Sequence, residues 1–146
     1  MEVLRDARVR AGMTQQELAD VSGVARANIA AYESGARPLT PAMNARLLAA
    51  IRRPSDSLAE HADEVRAILA AAGARNPRVF GSVARGTDSA TSDIDLVVDL
   101  DGDADAFTLA GAWRRVVDLV GHHVDLVPSS GLEARRSRIL DEAIPL

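Results

Sequence analysis

Gly81-Ser82, a short spacer and the triplet Asp93-Ile94-Asp95 are the residues of this chain whose types and spacing could do chemistry. The full run is Gly81-Ser82-Val83-Ala84-Arg85-Gly86, then residues 87–92, then Asp93-Ile94-Asp95-Leu96-Val97-Val98. Glycine lets a backbone approach a phosphate closely, and amides at the start of a following helix favour an anion. Ser82 adds a hydroxyl donor, and Arg85, one turn further on, adds a planar fork for phosphate oxygens. Asp93 and Asp95 alternate across one apolar residue on a run that reads as a strand. A strand repeats every two residues, so both carboxylates leave on the same side. Two acids on one face, beside a phosphate cradle, suit a Mg²⁺-nucleotide site.

The elements that must position these residues follow from periodicity and punctuation. Arg78-Val79-Phe80 reads as a short strand feeding the glycine turn, and Ile94 to Leu100 as a second strand. His123 to Val127 reads as a third, closed by Pro128, and Asp125 is a polar residue inside its apolar run. Helices are expected over Leu58 to Ala72, Phe107 to Val120 and Leu132 to Ala143. On the second of these, Leu109, Trp113, Val116, Val117 and Val120 form the buried side. Strands alternating with helices predict an α/β or α+β layer.

The first third of the chain reads differently. Val3, Leu4, Ala7 and Ala11 share one helical face, and Gly12 ends that helix. Thr14 with Glu17 makes a capping box for a second helix, Gln15 to about Val21. Ser22-Gly23 turns the chain into a third helix, about Ala25 to Ser34, and Thr40-Pro41 opens a fourth carrying Met43, Leu47, Leu48 and Ile51 inward. Charge divides along the same line. Residues 1–53 hold eight Arg against five acids, and residues 54–146 nine Arg against sixteen, within a net charge of −4. The expected organisation is therefore two modules, residues 1–53 and 58–146, with Pro54-Ser55-Asp56-Ser57 as linker.

The chain has no cysteine, which excludes disulfides and thiolate metal sites and fits a cytoplasmic protein. No apolar run approaches the roughly 18 residues of a membrane span, and the N-terminus is too charged for a secretory signal. Asp99 to Asp105 fails as a calcium loop, because an EF-hand needs a glutamate at its last position and Ala stands there in either register. His122 and His123 are adjacent, so on a strand they face opposite sides; each reads as structural or exposed rather than as a ligand. Arg135-Arg136-Ser137-Arg138 reads as an exposed basic face, with a grip on nucleotide or on an acidic partner as the alternative.

Two resemblances give these features names. Thr14-Gln15, Leu18-Ala19, Gly23-Val24, Ile29 and Glu33-x-Gly35 together resemble the Cro/phage-repressor helix-turn-helix family over residues 2–52. The resemblance implies an all-α domain that binds double-stranded operator DNA, with Ala25 to Tyr32 in the major groove. Arg26 and Asn28 would then reach base edges, Gln15 a phosphate or neighbouring base, and Arg37 a phosphate. One such module reads few base pairs, so a dimer or larger assembly is expected. Gly81-Ser82, Arg85-Gly86 and Ser92-Asp93-x-Asp95 at these spacings resemble the DNA-polymerase-β-like nucleotidyltransferases. Within them the run is most similar to the minimal nucleotidyltransferases, small proteins often encoded beside a HEPN-domain toxin and acting as its antitoxin.

That second resemblance implies a small mixed sheet, ATP as co-substrate, and Mg²⁺ held by Asp93, Asp95 and a third carboxylate from a neighbouring strand. Asp125 is the residue that would fill that place. Gly81, Ser82 and Arg85 would bind the triphosphate. The partners implied are a HEPN-type ribonuclease toxin, modified with AMP on a hydroxyl such as tyrosine, and the operon's own promoter. Together they would make an oligomeric hetero-complex with no membrane component. Two rival readings remain: a repressor and antitoxin that acts by docking alone, and an antibiotic-modifying nucleotidyltransferase.

Overall fold

The structure is a computed structural model, and it describes residues 3–131 and 136–146. These separate into two compact units, the described residues of 1–53 with 89–91, and those of 54–88 with 92–146.

The first unit is helical. Its helices are α1 (Leu4–Arg10), α2 (Gln15–Ser22), α3 (Arg26–Glu33) and α4 (Pro41–Ala50). The Thr14–Glu17 capping box forms in both directions, and Thr40 caps α4 with Pro41 in its first turn. Gly23 ends α2 at φ 69°, the left-handed region that only glycine enters without cost. Leu4, Leu18, Ile29, Leu47 and Ile51 close the core. Val3, expected on the inner face of α1, is exposed, because it precedes the helix as its N-cap.

An ion pair locks these helices. Arg8 on α1 is directed inward, where its Nε and Nη2 donate to the two carboxylate oxygens of Glu33 on α3 at 2.7 and 3.0 Å. Its Nη1 donates to the Met13 carbonyl at 2.6 Å, and Gln15 Nε2 on α2 donates to the same Glu33 at 2.9 Å. The fork holds the Glu33 carboxyl below its usual range, hydrogen bonding from Arg8 outweighing burial.

The second unit is a mixed four-stranded sheet with helices. Its elements are α5 (Pro54–Glu60), α6 (Ala62–Ala71), β1 (Ala74–Phe80), α7 (Gly81–Arg85), β2 (Ile94–Leu100), α8 (Ala106–Val120), β3 (Val124–Pro128), α9 (Arg136–Glu142) and β4 (Ile144–Pro145). The strand order is β3-β2-β1-β4; β2 is antiparallel to β1 and parallel to β3, and β4 is antiparallel to β1. A parallel pair needs a long crossover, and α8 provides it. Val65 and Leu69 of α6 with Val116 and Val120 of α8 bury the face carrying Ile94, Leu96 and Val98. By alternation Asp95 lies on the other face.

Two sequence expectations change here, and one element is added. Residues 54–57 form the first turn of α5 rather than a linker. Pro54 is compatible with a first helical position, and Ser57 is buried with its hydroxyl donating to the Val120 carbonyl at 2.5 Å. The long helix expected from Leu58 is two helices, broken at His61. Ile144-Pro145 is an edge strand, which its two residues could not signal without the neighbouring β1. The expected start of the last helix at Leu132, and Arg135, lie outside the described residues; Arg138 is exposed on α9. Among the described residues no helix is long and apolar enough to cross a membrane.

Candidate active site

The site assembles where three strands align. In β2, Asp95 pairs across to Phe80 of β1 on one side and to Asp125 of β3 on the other. Asp93 sits two residues before Asp95, at the mouth of the same strand. The chain turns from β1 into α7 at Gly81, whose φ is 71°. A Cβ placed there would lie 2.3 Å from Oδ2 of Asp95. Glycine is thus required twice, by the left-handed backbone and by the carboxylate packed against it. The turn closes with Gly86 at φ 70° and Thr87 N donating to the Ser82 carbonyl at 3.0 Å.

The electrostatics follow from the crowding. Burial raises the Asp95 carboxyl above its usual range, and the neighbouring Asp125 and Asp93 raise it further, while Arg85 pulls the other way. Like charges gathered on one sheet face hold a proton or a cation more tightly than an isolated carboxylate does.

The parallel register adds a residue that the sequence had marked only as structural or exposed. Ile94 aligns with Val124 and Asp95 with Asp125, so His123 falls beside Asp93. Ligand atoms of Asp93, His123 and Asp125 all lie within 4.8 Å of one another, and all three residues are exposed. His123 Nε2 is 3.1 Å from Asp125 Oδ1. Adjacent histidines on a strand still cannot share a metal, but His123 stands two residues before Asp125 on the same side. That period-two spacing was the available signal. A cleft of about 390 Å³ opens beside this row, lined by Ala106, Leu109, Ala110, Trp113, His123, Val124, Asp125 and Leu126.

Of the expected phosphate-binding residues, Ser82 is half-buried on α7 and Arg85 is exposed, its Nη1 donating to Glu142 Oε1 of α9 at 2.8 Å. In the first unit, Ala25 and Arg26 are exposed at the start of α3. Asn28 and Arg37 meet: Arg37 Nη1 donates to Asn28 Oδ1 at 2.9 Å, and its guanidinium lies 5.6 Å from the centre of the Tyr32 ring. Gln15 is directed to Glu33 by the bond described above.

The comparisons with known proteins agree with this architecture. Residues 62–146 match the family described as nucleotidyltransferase domain, and residues 4–58 the family described as helix-turn-helix. A solved structure described as a minimal nucleotidyltransferase is similar at 38% identity and TM-score 0.58, over 63% of this chain and 95% of its own. Among curated proteins nothing matches the chain.

Proposed function

The chain belongs to the nucleotidyltransferase domain family and carries a helix-turn-helix domain ahead of it, and from that premise we propose an antitoxin that modifies its toxin and represses its own promoter. Asp93, Asp95 and Asp125 on adjacent strands, with Gly81 closed against Asp95, support the transfer half of this reading.

The donor set fits a divalent ion. Ligand atoms of Asp93, His123 and Asp125 lie within reach of one another, and Asp95, half-buried and paired with Asp125 across the strands, adds a third carboxylate to the same face. Asp93, Asp95 and Asp125 would hold Mg²⁺. When bound, the ion neutralises charge on the triphosphate and on departing pyrophosphate.

The chain's own residues do the remainder. The α7 turn with Ser82 and Arg85 binds and orients the ATP phosphates. An acceptor hydroxyl oxygen attacks the α-phosphorus in line. The new oxygen–phosphorus bond forms as the bond to the α,β-bridging oxygen breaks, and pyrophosphate leaves. Asp125 takes the hydroxyl proton. The acceptor is a hydroxyl, tyrosine by preference, on a HEPN-type ribonuclease encoded beside this gene. The likeness to a minimal nucleotidyltransferase supports the transfer chemistry, and the acceptor is the one that the family resemblance implies. Residues 1–53 form the DNA-binding module and residues 58–146 the transfer module. Ala25, Arg26 and Asn28 read operator bases, with Gln15 and Arg37 at the phosphates, in a dimer or larger hetero-complex with the toxin.

The test is to incubate the chain with the product of the neighbouring gene, ATP and Mg²⁺, and to weigh that product. Addition of AMP by the wild type and none by Asp93→Ala plus Asp95→Ala is the expected result. No adduct with the wild type removes the transfer reaction, and full neutralisation by the double variant would leave docking alone.

A further inference from the structure

We propose that His123 is a ligand of the divalent ion in this site and shifts its preference from magnesium to manganese. The proposal rests on the nucleotidyl-transfer reading above and goes beyond it in the identity of the ion.

Three observations carry it. The parallel register aligns Asp95 with Asp125, which sets His123 beside Asp93, so four side chains form two rows on one face. A ligand atom of His123 lies within 4.8 Å of one from each of Asp93 and Asp125. The ring is also held in place: Trp113 packs edge-on against it, with centroids 6.4 Å apart and planes at 80°. Trp113 is itself anchored by its Nε1, which donates to the Val124 carbonyl at 2.6 Å.

The chemistry of the donor decides the ion. Mg²⁺ is hard, prefers oxygen ligands and keeps several of its waters. An imidazole nitrogen suits the later first-row transition ions best, and Mn²⁺, which shares carboxylate sites with Mg²⁺ but stands at the weak end of that series, accepts nitrogen more readily than the harder Mg²⁺ does. Replacing one oxygen by the His123 nitrogen therefore favours Mn²⁺ over Mg²⁺. The competing explanation is that His123 only orients Asp125 through their 3.1 Å contact. In that case both ions would depend on it equally.

The experiment measures Mn²⁺ binding to the full chain by electron paramagnetic resonance of the free ion, and Mg²⁺ by competition. For His123→Asn we expect Mn²⁺ affinity to fall by at least about tenfold with Mg²⁺ affinity unchanged. Asp93→Asn should weaken both. A second measurement needs no variant. Trace Mn²⁺ should broaden the His123 imidazole signals of the wild type at ion levels that leave His61 sharp. Equal weakening of both ions in His123→Asn, no weakening of Mn²⁺, or sharp His123 signals would overturn the inference alone. Failure of the wild type to bind either ion would overturn the transfer reading with it.

Discussion

Gly81 shows how much one residue can decide. Its hydrogen faces a carboxylate oxygen at a distance no methyl group tolerates, and its backbone sits at φ 71°. Gly81→Ala meets both constraints together. The backbone penalty is about 1–2 kcal/mol, which the unit's core should survive. The steric conflict must be relieved by moving Asp95 or the α7 turn. Displacing a reacting group by an ångström costs roughly 100-fold in rate. We therefore expect Gly81→Ala to melt within a few degrees of wild type yet lose AMP transfer by about that factor. Calorimetry and a timed mass assay would check it, and a near-normal rate would refute the close packing. The glycine-serine motif was legible in the sequence, but the reason for the glycine was not. Asp95 lies fourteen positions away, and only strand pairing brings it to the turn.

Between elements, the Arg8–Glu33 fork joins α1 to α3 and, through Gln15, to α2. Side-chain exposure is 11% for Arg8 and 4% for Glu33, so loss of one partner leaves a charge with little water. Breaking such a pair costs about 3 kcal/mol or more, so Glu33→Gln should destabilise the helical unit by that order. The pH dependence has a definite sign. Glu33 titrates below its ordinary value in the folded state. Its contribution is therefore complete above the unfolded value, near pH 4.3, and disappears as pH falls through the lower folded one. Urea titrations followed by NMR signals of Leu18 and Ile29 should show a constant gap between wild type and Glu33→Gln at neutral pH. The gap should narrow only below about pH 4. A gap that persists undiminished in strong acid would mean the fork contributes through packing rather than charge. Glu33 entered the sequence reading as part of a family pattern, and its physical role needed the helix packing. The capping box at Thr14 needed no such help, since both partners lie within one turn.

At the scale of the whole molecule, two units have separate cores, and the proposed chemistries divide between them. Residues 1–53 bear the basic excess and the remainder the acidic one, as expected if only the first meets a polyanion. Arg26→Ala with Asn28→Ala should weaken binding to the promoter DNA by about 1–3 kcal/mol for each base that is no longer read, while AMP transfer stays at the wild-type rate. The Asp93→Ala, Asp95→Ala variant should do the reverse. Fluorescence anisotropy with labelled duplex and the mass assay read the two activities independently. Loss of both from either variant would contradict the division. Arg37 adds a refinement: because it bonds to Asn28, Arg37→Ala should lower affinity for matched operator more than for random duplex.

The sequence alone determined the local features of this protein. Alternation put Asp93 and Asp95 on one face, glycines set the turns, and composition divided the chain into a basic and an acidic part. Those properties depend on a few neighbouring residues, which is why they can be read in order. Only the tertiary structure decided what stands beside them. Asp125 became the neighbour of Asp95, His123 joined Asp93, and Glu142 engaged Arg85. Each of these depends on the register and packing of elements far apart in sequence, and a one-residue slip of β3 would have turned His123 and Asp125 to the opposite face.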